Sequence, residues 1–288
     1  MKLHTLGLLS LFASAAALAN PEVTSREYKL MLEHQRFQFS TEAEDVARFV
    51  QELESVIRTS IDRPTSDAMT LKKQRSVSFY DVPGECTLNA NGYSYRERVD
   101  SKSSVSLKFR SPDRYIVGFD DVTSNEPSAK SKMELDVSAN RHNTFRPIYS
   151  ASTKFTNHDV IDSLGHINQR FSGFAERYAL SDALPLQKVG NLTIYERVYS
   201  GLEVDLGKLD AEFDLTLWYL NQPSKNEKPV VAEISFSYED DSASYSRKVV
   251  HRSKALFEAM QGMKQWVATD SITKTAYVYN FDPTFCGK

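Results

Sequence analysis

Residues 75–98 read RSVSFYDVPGECTLNANGYSYRER. Polar and apolar side chains alternate from Arg75 to Val82, and again from Tyr93 to Val99. That period of two is the signature of strands with one buried face. Between them lie two turn pairs, Pro83-Gly84 and Asn91-Gly92. The same period puts Arg96 and Arg98 on one side of the second strand. Such a pair is either a solvated surface or a seat for an anion, and the surrounding sequence bears on the choice.

Working outward, further alternating stretches are Tyr28 to Leu32, Val105 to Arg110, Met133 to Val137, Ile148 to Phe155, Leu192 to Tyr199, Phe213 to Leu220 and Val230 to Tyr238. Tyr277 to Tyr279 reads as a last short strand. Thr41 and Glu44 have the spacing of a capping box ahead of Val46, Phe49, Val50, Leu53, Val56 and Ile57, which predicts a helix over 41–57. A second helix is expected from Asn157 through Phe171, and a third from Arg247 to Val267. Many strands, three helices and no strict strand–helix alternation indicate an α+β fold with a mostly antiparallel sheet or barrel. Without a linker or a break in composition, residues 20–288 read as one domain.

The 288 residues are 41% hydrophobic and 25% charged, with 35 basic and 38 acidic residues and a net charge of −3. This balance disfavours disorder and a DNA-coating role, and no specific nucleic-acid partner is expected. Met1-Lys2, the apolar run Leu3 to Leu18 and the small-residue site Ala17-Leu18-Ala19 read as a secretory signal peptide over residues 1–19. The run is short for a membrane anchor, so export to the periplasm or the exterior, without membrane association afterwards, is the expectation. In that setting Cys86 and Cys286 either form one disulfide or stay as buried thiols. No phosphate-binding glycine loop, dinucleotide fingerprint, nucleophile elbow or zinc-ligand spacing is present. Asp120-Asp121 and Asp240-Asp241 sit in turn-like sequence and read as solvated loops.

What remains is charge spaced by two in strands: Glu27 with Lys29, Arg96 with Arg98, Lys108 with Arg110, and Glu134 with Asp136. Facing outward, these are ordinary surface charges. Facing the inside of a barrel, the bases would hold a polyanion and the carboxylates the divalent ions that accompany it.

The order of these motifs resembles the CYTH family of triphosphate tunnel enzymes. The family's opening E-x-E-x-K is similar to Ser25-Arg26-Glu27-Tyr28-Lys29, with Ser25 in place of the first acid. Its Y-D-x-P, following Leu and R-x-R strand are similar to Tyr80-Asp81-Val82-Pro83, Leu88 and Arg96-Glu97-Arg98. Ser106-Leu107-Lys108 and Glu134-Leu135-Asp136 match the next two strands, whereas Arg197 and Glu233-Ile234-Ser235 match the second half more loosely. The likeness runs over residues 25–267. It implies an eight-stranded, mostly antiparallel, tunnel-like barrel with flanking helices. It also implies Mg²⁺ or Mn²⁺ and cleavage of a phosphoanhydride in tripolyphosphate, a nucleoside triphosphate or polyphosphate. Glu27 and Lys29 would carry the catalysis. Lys29, Arg96, Arg98, Lys108 and Arg197 would contact phosphate, and Glu27, Glu134, Asp136 and Glu233 would hold metal. Ser25 and Ser235 each remove a candidate ligand. A non-catalytic binder of a phosphorylated ligand, a self-neutralising salt-bridge network and a protein presenting aromatic surface to a partner therefore stay open.

Overall fold

The computed structural model describes residues 22–66, 68–140, 142–268, 270 and 272–287. The expected signal peptide lies outside them. The strands are β1 (Ser25–Leu32), β2 (Thr70–Asp81), β3 (Tyr93–Val99), β4 (Ser103–Ser111), β5 (Lys130–Asn140), β6 (Asn143–Asn157), β7 (Gln187–Lys188), β8 (Ile194–Asp205), β9 (Asp210–Leu220) and β10 (Val231–Glu239). The helices are α1 (Glu42–Ile61), α2 (Thr87–Ala90), α3 (Arg114–Gly118), α4 (Gly165–Asn168), α5 (Ser172–Tyr178), α6 (Arg247–Gln261) and α7 (Lys274–Phe281).

The sheet runs β3-β4-β6-β5-β1-β10-β9-β8-β2, and β2 pairs back onto β3, so nine strands close a barrel. The short β7 adds to β2 outside the ring. The count is nine where the resemblance implied eight, and each of the nine falls in a stretch whose alternation marked it as a strand. A ring with an odd number of strands cannot alternate direction all the way round. The parallel seam falls between β1 and β5, where Ser25–Lys29 run beside Glu134–Ser138.

Two apolar layers cover the outside. On one wall Tyr28, Leu30, Leu215 and Phe236 pack under Phe49, Leu53 and Ile57 of α1 and Leu256, Phe257 and Met260 of α6. On another, Tyr93, Tyr95, Leu107 and Phe109 pack under Leu164, Ile167, Phe171 and Phe174. Each such side chain contributes about 1.5–3 kcal/mol by leaving water, which fixes which face of every strand looks outward.

Several local expectations change. Thr41 makes no side-chain cap to α1; its hydroxyl donates instead to Asp45, which also accepts from the Gln38 N–H. The helix expected over 157–171 is mostly loop. Leu164 N–H bonds to Leu184 O and Leu186 N–H to Asp162 O, and these long-range bonds replace helical ones. The apolar spacing there still serves packing, because Ile161, Leu164, Ile167 and Phe171 are all buried. The third helix stops at Gln261, ahead of Gly262. Tyr277 to Tyr279 are helical, inside α7. Asp120 is buried and accepts from Tyr93 Oη and Arg177, so only its neighbour is a solvated loop residue. Cys86 and Cys286 form the disulfide.

Candidate functional site

Residues directly opposite each other in an antiparallel pair point to the same face. Lys29 faces Ser235 and Asp214; Phe79 faces Arg96, and Arg96 faces Ser106 and then Lys154. Continued round the ring, this register puts Glu27, Lys29, Arg75, Arg96, Arg98, Lys108, Glu134, Asp136, Glu196 and Glu233 on the inner face. Inward-facing Lys29 and Glu27 keep 23% and 24% side-chain exposure, so water reaches the interior.

The interior has two unlike walls. On β1 and β5 the carboxylates of Glu27, Glu134 and Asp136 lie within 4.8 Å of one another. Ammonium groups already sit among them. Lys29 Nζ lies 2.7 Å from Glu27 and 2.8 Å from Asp136, and Lys108 Nζ reaches across β6 to Glu134 and Asp136, 3.1 Å from each. Burial works against the Lys29 ammonium, but Asp136 and Glu27 outweigh it and carry its pKa well above the usual lysine value. Asp136 shows the reciprocal effect. Burial would raise its pKa, and Lys108 and Lys29 instead hold it well below the usual carboxylate range.

The second wall, on β2, β3 and β6, is basic and short of partners. Glu196 accepts from Arg75 at 2.5 Å and Trp218 Nε1 at 2.8 Å, and Arg98 stands 3.6 Å away. Arg96 makes no hydrogen bond or ion pair among the described residues; its guanidinium lies 5.9 Å from the Phe79 ring, and its Nε, like that of Arg98, has no acceptor. Burial, then Arg98, pushes the Arg96 pKa well below that of a free guanidinium. Burial lowers Arg98 to about 10 against the pull of Glu196. Lys154 is lowered too, by burial and by Arg98 and Arg75. A cation that its surroundings discharge is stabilised by whatever anion comes within reach.

Of the residues expected in the site, Glu27, Lys29, Lys108, Glu134 and Asp136 meet in one cluster, and Arg96 and Arg98 stand on the basic wall. Arg110, on the same strand face as Lys108, donates to Ser94 Oγ. Glu233 faces inward but outside the three-carboxylate group, paired with Lys274 at 2.7 Å. Arg197 does not face inward. Its register partners are Gln74 and Leu217 on the outer face, and its Nε donates to Glu42 Oε1 at 2.6 Å. Glu42 also accepts from Tyr199 and Tyr219, so this cluster ties α1 to the barrel. The residue on β8 that faces inward is its neighbour, Glu196. Arg75, Lys154 and Glu196 were missed. Arg75 carries a readable signal, because it shares the period of Val77 and Phe79 at the start of its strand.

No family model matches the chain, and no curated protein matches it.

Proposed function

We propose that the barrel interior binds a phosphorylated polyanion together with a divalent cation and hydrolyses its phosphoanhydride bond. Arg96 is the observation that carries this reading. A guanidinium turned into the barrel, with two further arginines beside it and no carboxylate of its own, costs stability unless an anion completes it. Arginine suits phosphate because its planar fork can bind two oxygens at once.

The carboxylate cluster supports the metal. Three carboxylates drawn together offer hard oxygen donors, which suit Mg²⁺ or Mn²⁺. Glu27, Glu134 and Asp136 would hold such an ion, which would polarise phosphoryl oxygens and ease deprotonation of water. When the anion enters, Lys29 and Lys108 turn from the carboxylates to phosphate oxygens and leave the acids free for the cation. Arg96 and Arg98 hold the chain. Glu27 is the most accessible of the three acids and takes the proton of the attacking water. Water oxygen bonds to phosphorus, the bridging P–O bond breaks, and two phosphate products leave. The motif order shared with the CYTH family supports the same reading, and the Cys86–Cys286 disulfide suits an exported protein.

A second reading, a binder without catalysis, has its own support. Ser25 stands beside Glu134 and Ser235 opposite Lys29, where the family pattern has acids, and each remaining acid already holds an ammonium group. Phosphate release from tripolyphosphate, measured with and without Mn²⁺, separates the two. Metal-dependent release that is lost in Lys29→Ala and Arg96→Ala is expected. Equal release by those variants contradicts the hydrolase. A rise in melting temperature with tripolyphosphate, without metal and without release, selects the binder.

A further inference from the structure

The two ends of the barrel differ. At one end the inward-facing Met31, Val77, Phe79, Ile194, Trp218 and Val231 form an apolar cluster with Val278 and Tyr279 of α7. Strand direction places all of these at the same end: the close of β1, β2 and β9 and the start of β8 and β10. The C-terminal segment is seated there by several independent contacts. Tyr279 Oη donates to the buried Asp81 at 2.8 Å. Lys274 reaches the interior carboxylate of Glu233, with its Nζ 5.8 Å from the Trp218 ring. The Gly84 N–H bonds to Phe285 O at 2.7 Å, and a Cβ on Gly287 would lie 2.5 Å from Gly84 O, so the last turn rests directly on the Pro83-Gly84 turn. The Cys86–Cys286 disulfide then fastens this segment to the loop after β2.

At the other end the inward-facing positions include Lys73, Lys130, Lys132 and Lys154 together with Glu212 and Glu239, all exposed, and Lys132 lies 3.6 Å from Glu239. One end is thus stapled and apolar along β1, β2 and β8–β10, with Arg110 and Ser138 facing inward on the remaining strands, and the other is exposed and carries more lysines than acids. A phosphate chain is charged at every unit, and an apolar floor offers it no exit.

We infer that the interior is a blind pocket, entered between the lysines of the open end and floored by α7, which takes the free terminal phosphate of a linear polyphosphate and does not thread the chain. This rests on the polyanion reading above. The barrel is closed round its sides, so a chain reaches the basic wall only end first. Because the floor stops it, a single chain has two places to offer, one at each end.

The test counts protein molecules bound per chain on size-fractionated linear polyphosphates, one short and one long, with the wild-type protein. Sedimentation at saturation reads the number directly. At most two molecules per chain at both lengths is expected, together with loss of binding when both terminal phosphates are blocked by a bulky phosphoramidate. A number that grows with chain length, or binding that survives end-blocking, overturns the blind pocket while leaving polyanion binding in place. Absence of binding to every chain removes the polyanion reading and this inference with it.

Discussion

Along β1 and β5 each interior carboxylate holds an ammonium group, whereas along β2 and β3 Arg75 and Arg98 share the carboxylate of Glu196 and Arg96 pairs with none among the described residues. The same barrel therefore contains a satisfied wall and an unsatisfied one. Ion pairs across the first hold Lys29, Glu134 and Asp136 in their charged forms and tie β1, β4 and β5 together, although burial still lowers the pKa of Lys108. Crowding on the second pushes its cations toward discharge. Folding alone explains the first arrangement. It does not explain the second, since a fold gains nothing from Arg96 without a partner. The contrast separates charges that hold the structure from charges that await a ligand.

The largest effect should come from breaking the satisfied wall. Asp136→Ala leaves Lys29 and Lys108 short of their shared acceptor. Breaking one partner of a buried pair costs about 3 kcal/mol, at the low end of the usual range because water reaches this pair. Thermal unfolding should show a fall on the order of 10 °C. Arg96→Met on the other wall should leave the melting temperature unchanged or raise it, since it replaces an unpartnered cation with an apolar chain. Equal destabilisation by the two substitutions would erase the distinction between the walls.

The pH response sharpens the contrast with a smaller effect. The Asp136 pKa is depressed in the folded protein, so its contribution is fully present above the unfolded value of about 4 and is lost as pH falls through the lower folded value. Stability measured across that acid window should fall more steeply for the wild type than for Asp136→Asn. The basic wall carries the opposite sign. Burial, Arg98 and Arg75 lower the Lys154 pKa, so the folded protein binds that proton less tightly than the unfolded chain does. Stability should therefore gain as pH rises through that lowered value toward the usual lysine value of about 10.4, while tripolyphosphate affinity declines as that charge is lost. Affinity that is flat across this window would remove Lys154 from the anion seat.

Strand alternation made most of this legible. It marked all nine barrel strands and put Glu27 with Lys29, Arg96 with Arg98, and Glu134 with Asp136 on shared faces. The choice of inner or outer face was less readable where both faces are partly apolar. On β8 the inner side carries Ile194, Glu196 and Val198 and the outer side Tyr195, Arg197 and Tyr199, so nothing within the strand favours Glu196 over Arg197. Only the ring register and the cover of α1 decide it. The floor was hidden for a related reason. Tyr277 to Tyr279 alternate like a strand, yet Val278 and Tyr279 fill the barrel end as part of a helix, a placement fixed by contacts far away in sequence. The pairing of Cys86 with Cys286 spans 200 residues and was likewise beyond local reading.

Calorimetric titration with tripolyphosphate of the wild type, Arg96→Met and Arg197→Met tests the central claim most directly. It compares an inward arginine without a partner against an outward one bound to Glu42. The wild type should bind one-to-one. Arg96→Met should lose about 1.5–3 kcal/mol, on the order of 10- to 150-fold in affinity, as expected for charge-assisted hydrogen bonds. Arg197→Met should bind like the wild type. No binding by the wild type, or undiminished binding by Arg96→Met, would contradict the assignment of the basic wall as an anion seat.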